Sequence, residues 1–171
     1  MSARVGPPGE AEDRNAPLTT VQRVAVVGLG RAGVAHAVML SHVPGCTLEA
    51  VADPRPAARA ALRGMGFAVP AYPRLERLLE QHTPEAVVVC APQHERAAVV
   101  RRVVEAGIPV LVERPMARTL AEAVELVALA RARGVPLAVG HPLAHDPVFA
   151  RVHERVRAGA LGPVRQARSA M

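Results

Sequence analysis

The chain of 171 residues contains no lysine and no tryptophan, and aromatic side chains are scarce throughout. All 21 basic residues are therefore arginine, and Phe67, Tyr72 and Phe149 are the whole aromatic set. Half of the residues are apolar, which is enough material for one buried core of ordinary size. That core must be aliphatic, because the aromatic residues are too few to fill it.

Long apolar runs and cysteines are also in short supply. No stretch approaches the roughly 18 apolar residues that a membrane-spanning helix needs. Residues 1–20 are rich in Gly, Pro and charged side chains and lack the apolar centre of a signal peptide, so we predict a disordered tail there. Cys46 and Cys90 form no CxxC pair and are expected to be buried thiols in a reducing compartment. Together these features predict a cytoplasmic protein.

The formal net charge of +6 raises the question of a nucleic-acid partner. The arginines are scattered along the chain, however, and their densest group lies within residues 151–168. Few aromatic residues are available to stack on bases. We therefore favour a solvated basic face, whereas the weaker hypothesis of nucleic-acid binding predicts an affinity that falls steeply with salt.

Short apolar segments alternate with helical patterns along the rest of the chain. Strands are predicted at 23–27, 48–52, 86–90, 110–112 and 137–139, with a further short piece at 67–69. Helices are predicted at 31–43, 55–63, 73–81, 95–106, 120–134 and 147–158. Thr119 and Glu122 match a capping box, which predicts that the fifth of these helices begins after Thr119. Nearly continuous apolar strands are typical of a parallel sheet that is covered on both faces. The alternation predicts an α/β fold, a doubly wound parallel sheet or Rossmann fold over residues 21–145, with a short extension over 146–171.

The sequence GLGRAG at residues 28–33 follows the first predicted strand and opens the first predicted helix. In this context the GxGxxG pattern predicts a dinucleotide site rather than a plain turn between strand and helix. Gly28 permits the tight turn, Gly30 lets a pyrophosphate approach the backbone, and Gly33 allows the helix to pack closely on the strand.

The two ends of the expected dinucleotide are assigned to different residues. Arg31 and Ala32 open the helix, where free amides and the helix dipole attract phosphate groups. The second strand ends at Asp53, whose carboxylate is placed to accept hydrogen bonds from the adenosine ribose. Asp53 would repel a 2′-phosphate, whereas Arg55 could pair with one. The sequence therefore favours NAD as the cofactor and leaves NADP possible.

Three further motifs follow predicted parallel strands, where ligands bind in α/β folds. They read CAPQHERAAVV at 90–100, VLVERPMA at 110–117 and AVGHPLAHDP at 138–147. With the glycine turn, they resemble the N-terminal domain of the Gfo/Idh/MocA oxidoreductases, and the resemblance extends from about residue 22 to the end. It implies an ancestral reaction in which hydride passes between NAD(P) and a sugar or cyclitol hydroxyl.

The resemblance also implies roles for individual residues. Ala91, Pro92 and Gln93 stand where the family has TPN, and Arg96 takes the place of a histidine. Glu113 and Arg114 stand where the family has the EK of its EKP motif. The implied cofactor contacts are therefore Ala91, Pro92, Gln93, Arg96, Glu113 and Arg114.

Arg114 is the candidate catalytic residue by position, because the family's lysine assists proton movement there. A guanidinium effectively cannot release its proton, so Arg114 suits the binding of a hydroxyl better than acid–base catalysis. His145 is a second candidate for proton transfer, although an ordinary, partly exposed histidine is the favoured interpretation. No metal site is predicted, because the histidines match no recognised ligand motif.

Residues 161–171 resemble the start of the family's second domain, which carries the substrate pocket, and we expect the rest of that domain to be absent. The leading hypothesis is an NAD(P)-binding module of an oxidoreductase, either truncated or completed by a partner chain or a second copy. The alternative is a non-catalytic, perhaps regulatory, NAD(P)-binding protein.

Overall fold

A computed structural model of the chain describes residues 22–166 and 168. The described residues fall into two units, which divide between Ala91 and Pro92. The tail predicted for residues 1–20 lies outside the described residues, as do several of the last residues of the chain.

The first unit alternates strands with helices. The elements in chain order are β1 (Gln22–Val27), α1 (Arg31–Leu40), β2 (Cys46–Ala52), α2 (Pro56–Gly64), β3 (Ala71–Tyr72), α3 (Leu75–Gln81) and β4 (Ala86–Val89). The strands run parallel in the order β3-β2-β1-β4, so the first strand of the sequence lies inside the sheet. Val24 pairs with Leu48 of β2 on one side and with Ala86 of β4 on the other.

The core of this unit is aliphatic, as the composition predicts. β-Branched side chains suit the crowded, pleated surface of a buried strand, and the three long strands contribute them. Helices α2 and α3 each add a leucine that is buried almost completely. The residues that are buried in this core include Val26, Val51, Val87, Val89, Leu62 and Leu78.

The strand predicted at residues 67–69 is wrong, because the short edge strand is Ala71–Tyr72. The backbone N–H of Phe67 donates to the carbonyl of Leu62 and closes the end of α2, just after Gly66 turns the chain at φ +93°. The backbone N–H of Phe67 therefore belongs to the end of α2 and does not pair with β2. Pairing with β2 starts only at Pro70, whose carbonyl accepts from the N–H of Val51 at 2.9 Å.

The second unit contains one parallel pair of strands. Val110 pairs with Leu137, and the register continues to Glu113 opposite Gly140. Its elements are α4 (Gln93–Glu105), β5 (Val110–Glu113), α5 (Leu120–Arg133), β6 (Leu137–Gly140), a 3₁₀ turn (Pro142–His145) and α6 (Pro147–Arg157). The buried side chains of this unit include Val100, Val103, Val104, Val112 and Leu126.

Side chains cap the last two long helices. The hydroxyl of Thr119 accepts from the N–H of Glu122 at 3.2 Å, and the Glu122 carboxylate accepts from the N–H of Thr119, so the predicted capping box at the start of α5 is confirmed. At α6, Oδ1 of Asp146 accepts from the N–H groups of Val148 and Phe149. These caps define where the helices begin.

The predicted α/β class with parallel strands is confirmed. Apart from the edge strand, the predicted strands and helices are present, with ends shifted by a few residues. Among the described residues, no helix is both long enough and apolar enough to cross a membrane.

Candidate functional site

The glycine turn joins β1 to α1, and its first glycine is required by the fold itself. Gly28 has φ +93°, a conformation that side chains other than glycine rarely adopt. A Cβ atom on Gly28 would also lie 2.6 Å from the carbonyl carbon of Cys90 and 2.7 Å from the nitrogen of Ala91. The backbone that leaves β4 therefore packs directly against the turn.

Gly33, in the first turn of α1, is required by packing. A Cβ atom at this position would lie 1.7 Å from the carbonyl oxygen of Gly28, which no small adjustment relieves. The missing side chain lets the first turn of α1 rest on the glycine turn.

Gly30 differs from both of its neighbours in the motif. Its backbone is extended (φ −73°, ψ −174°), and a Cβ atom there would meet nothing within 4 Å. The described fold therefore does not require glycine at this position. Open space in front of a backbone that precedes a helix is what a closely approaching ligand needs.

The start of α1 is suited to an anion. The first amides of any helix lack intrahelical partners, and here no side chain caps them. Arg31 and Ala32, the first two residues of the helix, are exposed. An oxyanion in front of Gly30 would thus meet backbone N–H groups and the positive end of the helix dipole.

Asp53 follows β2 and is fixed next to the glycine turn. The residue is only 2% exposed, and its Oδ2 accepts from the backbone N–H of Leu29 at 2.6 Å. Its own N–H donates to the carbonyl of Tyr72 at 3.0 Å. The acid predicted to hold the ribose and the turn predicted to hold the pyrophosphate are therefore hydrogen-bonded to each other.

Arg55 forms a two-pronged ion pair with this carboxylate. Its Nε donates to Oδ1 of Asp53 at 3.0 Å, and its Nη2 donates to Oδ2 at 2.9 Å. The backbone N–H of Arg55 also donates to Oδ1, at 2.8 Å, and Nη1 of Arg59 donates to the carbonyl of Asp53. The Arg55 side chain remains 61% exposed, whereas that of Asp53 is 3% exposed.

These contacts set the ionisation of the pair. Burial by itself raises the pKa of Asp53, but the hydrogen bonds from the Arg55 side chain, the Leu29 N–H and the Arg55 N–H, with the Arg55 charge, outweigh it. The pKa of Asp53 therefore lies below its ordinary value, and the carboxylate is ionised at neutral pH. The same hydrogen bond and charge raise the pKa of Arg55.

In the second unit, Arg96 binds the loop that follows β5. Its side chain is buried, with the residue 8% exposed, and Nη1 donates to the carbonyls of Glu113 at 3.1 Å and Pro115 at 2.7 Å. These two carbonyls flank Arg114, which is exposed and precedes a cis peptide bond to Pro115. The structure thus brings Arg96 together with the residues around Arg114.

The other predicted residues stand at helix ends and turns. Ala91 is buried at the end of the first unit, whereas Pro92 and Gln93 are exposed at the start of α4. His141 and His145 are exposed around the 3₁₀ turn, and Nδ1 of His141 lies 3.2 Å from the carbonyl of Val139. Across the described residues, no three His, Cys, Asp or Glu side chains are grouped as a metal site would require.

Sequence reasoning missed the contributions of Leu29, Arg59 and Cys90. Leu29 acts through its backbone N–H, and Cys90 through backbone atoms that lie against Gly28, so side-chain type carries no signal of either role. The spacing of four residues between Arg55 and Arg59 is a signal in the sequence, because it places both side chains on one side of a helical turn. In the structure, Arg59 donates to the carbonyl of Asp53.

Comparison with known proteins identifies a family to which the chain is similar. The profile of the Gfo/Idh/MocA oxidoreductase family, described as an NAD-binding Rossmann fold, matches residues 22–141. Inositol 2-dehydrogenase 1 of Saccharopolyspora erythraea is 34% identical over 143 residues, which cover 82% of this chain and 42% of that protein. Myo-inositol dehydrogenase Hyg17 of Streptomyces leeuwenhoekii is 37% identical over 142 residues, covering 82% and 43%.

A solved structure agrees with these sequence matches. The crystal structure of GenD2 from gentamicin A biosynthesis, in complex with NAD, superposes with a TM-score of 0.77 and 30% identity. The match covers 92% of this chain and 43% of that one. The chain thus spans less than half of the length of the relatives that it matches.

Proposed function

Because the chain belongs to the Gfo/Idh/MocA oxidoreductase family and carries its NAD-binding Rossmann fold, we propose that it is the dinucleotide-binding part of an oxidoreductase. The proposed reaction is hydride transfer between the nicotinamide and a hydroxyl group of a sugar or cyclitol. The chain's similarity to two inositol dehydrogenases supports this substrate class.

One observation carries the proposal. The turn leaves open space at Gly30, and the neighbouring Leu29 N–H is hydrogen-bonded to the buried carboxylate of Asp53. This geometry supports a pyrophosphate site at the turn and, beside it, an acceptor for the ribose hydroxyls at Asp53. A fold that merely needed a tight turn would require Gly28 and Gly33 but not an open Gly30.

The residues of the chain divide the work of binding. The amides around Gly30 and the start of α1 hold the pyrophosphate, and Asp53 accepts hydrogen bonds from the adenosine ribose. When bound, the nicotinamide supplies the acceptor or donor of hydride. By family resemblance, further contacts come from Ala91, Pro92, Gln93, Arg96, Glu113 and Arg114.

Arg114 and Arg96 contribute in different ways. The exposed guanidinium of Arg114 is suited to donate hydrogen bonds to a hydroxyl and hold it in place, while proton removal falls to another group. Arg96 is a positioning residue, because it binds the carbonyls on either side of Arg114.

Calorimetric titration of the chain with NADH tests the proposal. We expect saturable binding that weakens by about tenfold or more when Asp53 is replaced by Ala, since a carboxylate that accepts two ribose hydroxyls is worth roughly that much. Asp146→Ala is the matched control, because the Asp146 carboxylate also accepts hydrogen bonds from backbone N–H groups but does so at the start of α6. Equal affinity of wild type and Asp53→Ala for NADH would contradict the assignment.

A second candidate function is non-catalytic NAD(P) binding, and the arginine at position 114 favours it. The two functions are separated by incubating the chain with NAD and myo-inositol and following NADH formation by absorbance. Turnover that disappears in Arg114→Ala supports the oxidoreductase. Tight NADH binding without turnover on any cyclitol or sugar, in the chain alone and in a fusion to the remaining part of inositol 2-dehydrogenase 1, supports the non-catalytic function.

A further inference from the structure

We propose that Arg55 sets the choice between NAD and NADP by competing with the adenosine ribose for Asp53. The proposal rests on the proposed function, and it adds a residue with an opposite effect on the two cofactors. Arg55 disfavours NAD, which must displace its side chain, and favours NADP, whose 2′-phosphate it can bind.

All acceptor positions of the Asp53 carboxylate are occupied by hydrogen bonds from the protein. A carboxylate has about four acceptor positions. Two are taken by the backbone N–H groups of Leu29 and Arg55, and two by Nε and Nη2 of the Arg55 side chain. The two hydroxyls of a ribose can donate to this carboxylate only where the Arg55 side chain has withdrawn.

Of the two side chains in this ion pair, that of Arg55 is the one that can move away. Asp53 is buried and held by backbone groups on both of its oxygens, so its carboxylate has no room to rotate. The Arg55 side chain is 61% exposed and can turn into water without opening the core. Displacing it breaks two charge-assisted hydrogen bonds, which weakens the binding of NAD.

A 2′-phosphate reverses the effect of Arg55 on dinucleotide affinity, from weaker to tighter binding. A planar guanidinium binds phosphate through the same two-pronged geometry that it uses here for carboxylate. Arg59 adds a second guanidinium, which is bound to the carbonyl of Asp53 and need not leave it. A phosphate near Asp53 would therefore find two arginines that offset the repulsion from the carboxylate.

The test measures affinities, not activity. Titration calorimetry at neutral pH gives the dissociation constants of NADH and NADPH for the wild-type chain and for Arg55→Ala. We expect Arg55→Ala to bind NADH more tightly and NADPH more weakly. The ratio of the two constants should shift toward NADH by about ten- to hundredfold, because both changes act in the same direction. Arg55→Lys, which keeps the charge but loses the fork, should shift the ratio less.

Arg63→Ala is the matched control, since it removes one positive charge from the last turn of α2, the helix that begins directly after Arg55. It should leave the ratio unchanged, and thermal unfolding of each variant checks that the fold is intact. A ratio that is the same in wild type and Arg55→Ala, with both dinucleotides bound, overturns the role of Arg55 alone. Failure of the folded wild type to bind either dinucleotide overturns the proposed function as well.

A second measurement follows Arg55 directly. The Nε–H resonance of Arg55 in NMR spectra reports its hydrogen bond to Oδ1 of Asp53. Saturation with NADH should move this resonance to the position of a free, solvent-exposed arginine. An unchanged resonance in the NADH complex would show that Arg55 and the ribose do not compete.

Discussion

Replacement of Gly30 by Ala separates the needs of the fold from those of the ligand. A Cβ at Gly30 meets nothing within 4 Å, and the backbone there is extended, so alanine fits without strain. Replacing glycine by alanine at a compatible position stabilises a protein by about 0.4–1 kcal/mol, through the lower entropy of the unfolded chain. Gly30 is also the N-cap of α1, where glycine is preferred over alanine, and this preference offsets the gain. Gly30→Ala should therefore melt within a few degrees of wild type.

The matched variants are Gly28→Ala and Gly33→Ala, which occupy the same turn. At Gly28 a side chain meets φ +93°, and a Cβ would lie 2.6 Å from the backbone of Cys90. At Gly33 the Cβ would lie 1.7 Å from a carbonyl oxygen. Overpacking of this kind costs about 1–3 kcal/mol or more, so both variants should melt at least several degrees below wild type.

At position 30 the substitution should change NADH affinity but not stability. The Gly30→Ala chain should be as stable as wild type but bind NADH at least about tenfold more weakly, because its methyl group occupies the space of the pyrophosphate. Differential scanning calorimetry and NADH titration measure the two effects separately. The reasoning is refuted if Gly30→Ala melts as low as Gly33→Ala, or if it binds NADH as tightly as wild type.

Three further predictions concern residues outside the turn. Arg96→Met should lower the free energy of unfolding by about 1–3 kcal/mol in urea titrations, because the carbonyls of Glu113 and Pro115 lose a charged donor; an unchanged midpoint would contradict this. The lowered pKa of Asp53 adds stability that is present above its unfolded pKa of about 3.9 and is lost as pH falls through the folded pKa. Asp53→Asn should therefore lose less stability than wild type on acidification below about pH 4, and parallel pH profiles would count against the ion pair. Thr119→Ala should cost about 0.5–2 kcal/mol through loss of the α5 cap, with Thr119→Ser close to wild type as its control.

Local features were the ones that the sequence predicted best. The capping box at α5 depends on residues only three positions apart, and both of its hydrogen bonds are present. The edge strand is misplaced because residues 67–69 are apolar, as in a strand. The N–H of Phe67 instead closes the end of α2. A three-residue apolar segment carries too little periodicity to separate these outcomes.

The glycine pattern identified the turn but not the different reasons for its three glycines. Gly28 is constrained by Cys90 and Ala91, which lie far away in the sequence, and Gly33 by the carbonyl of Gly28. Of these three glycines, only Gly30 has open space where a Cβ atom would lie, and this is a property of the folded turn.

The fork between Arg55 and Asp53 shows a similar limit. The spacing of two residues is visible in the sequence, and it allowed a role for Arg55 toward a phosphate. It did not reveal that two side-chain nitrogens of Arg55, Nε and Nη2, already bind the carboxylate. That depends on the side-chain conformation of an exposed arginine, which composition and periodicity do not determine.

Hydrogen–deuterium exchange of the chain with and without NADH tests most directly whether the glycine turn holds a dinucleotide. The account predicts that NADH slows the exchange of backbone amides in peptides that cover residues 28–34, where the turn meets α1. The amides of α6 should exchange at the same rate in both samples. Saturating NADH that leaves the exchange of residues 28–34 unchanged would contradict the central claim.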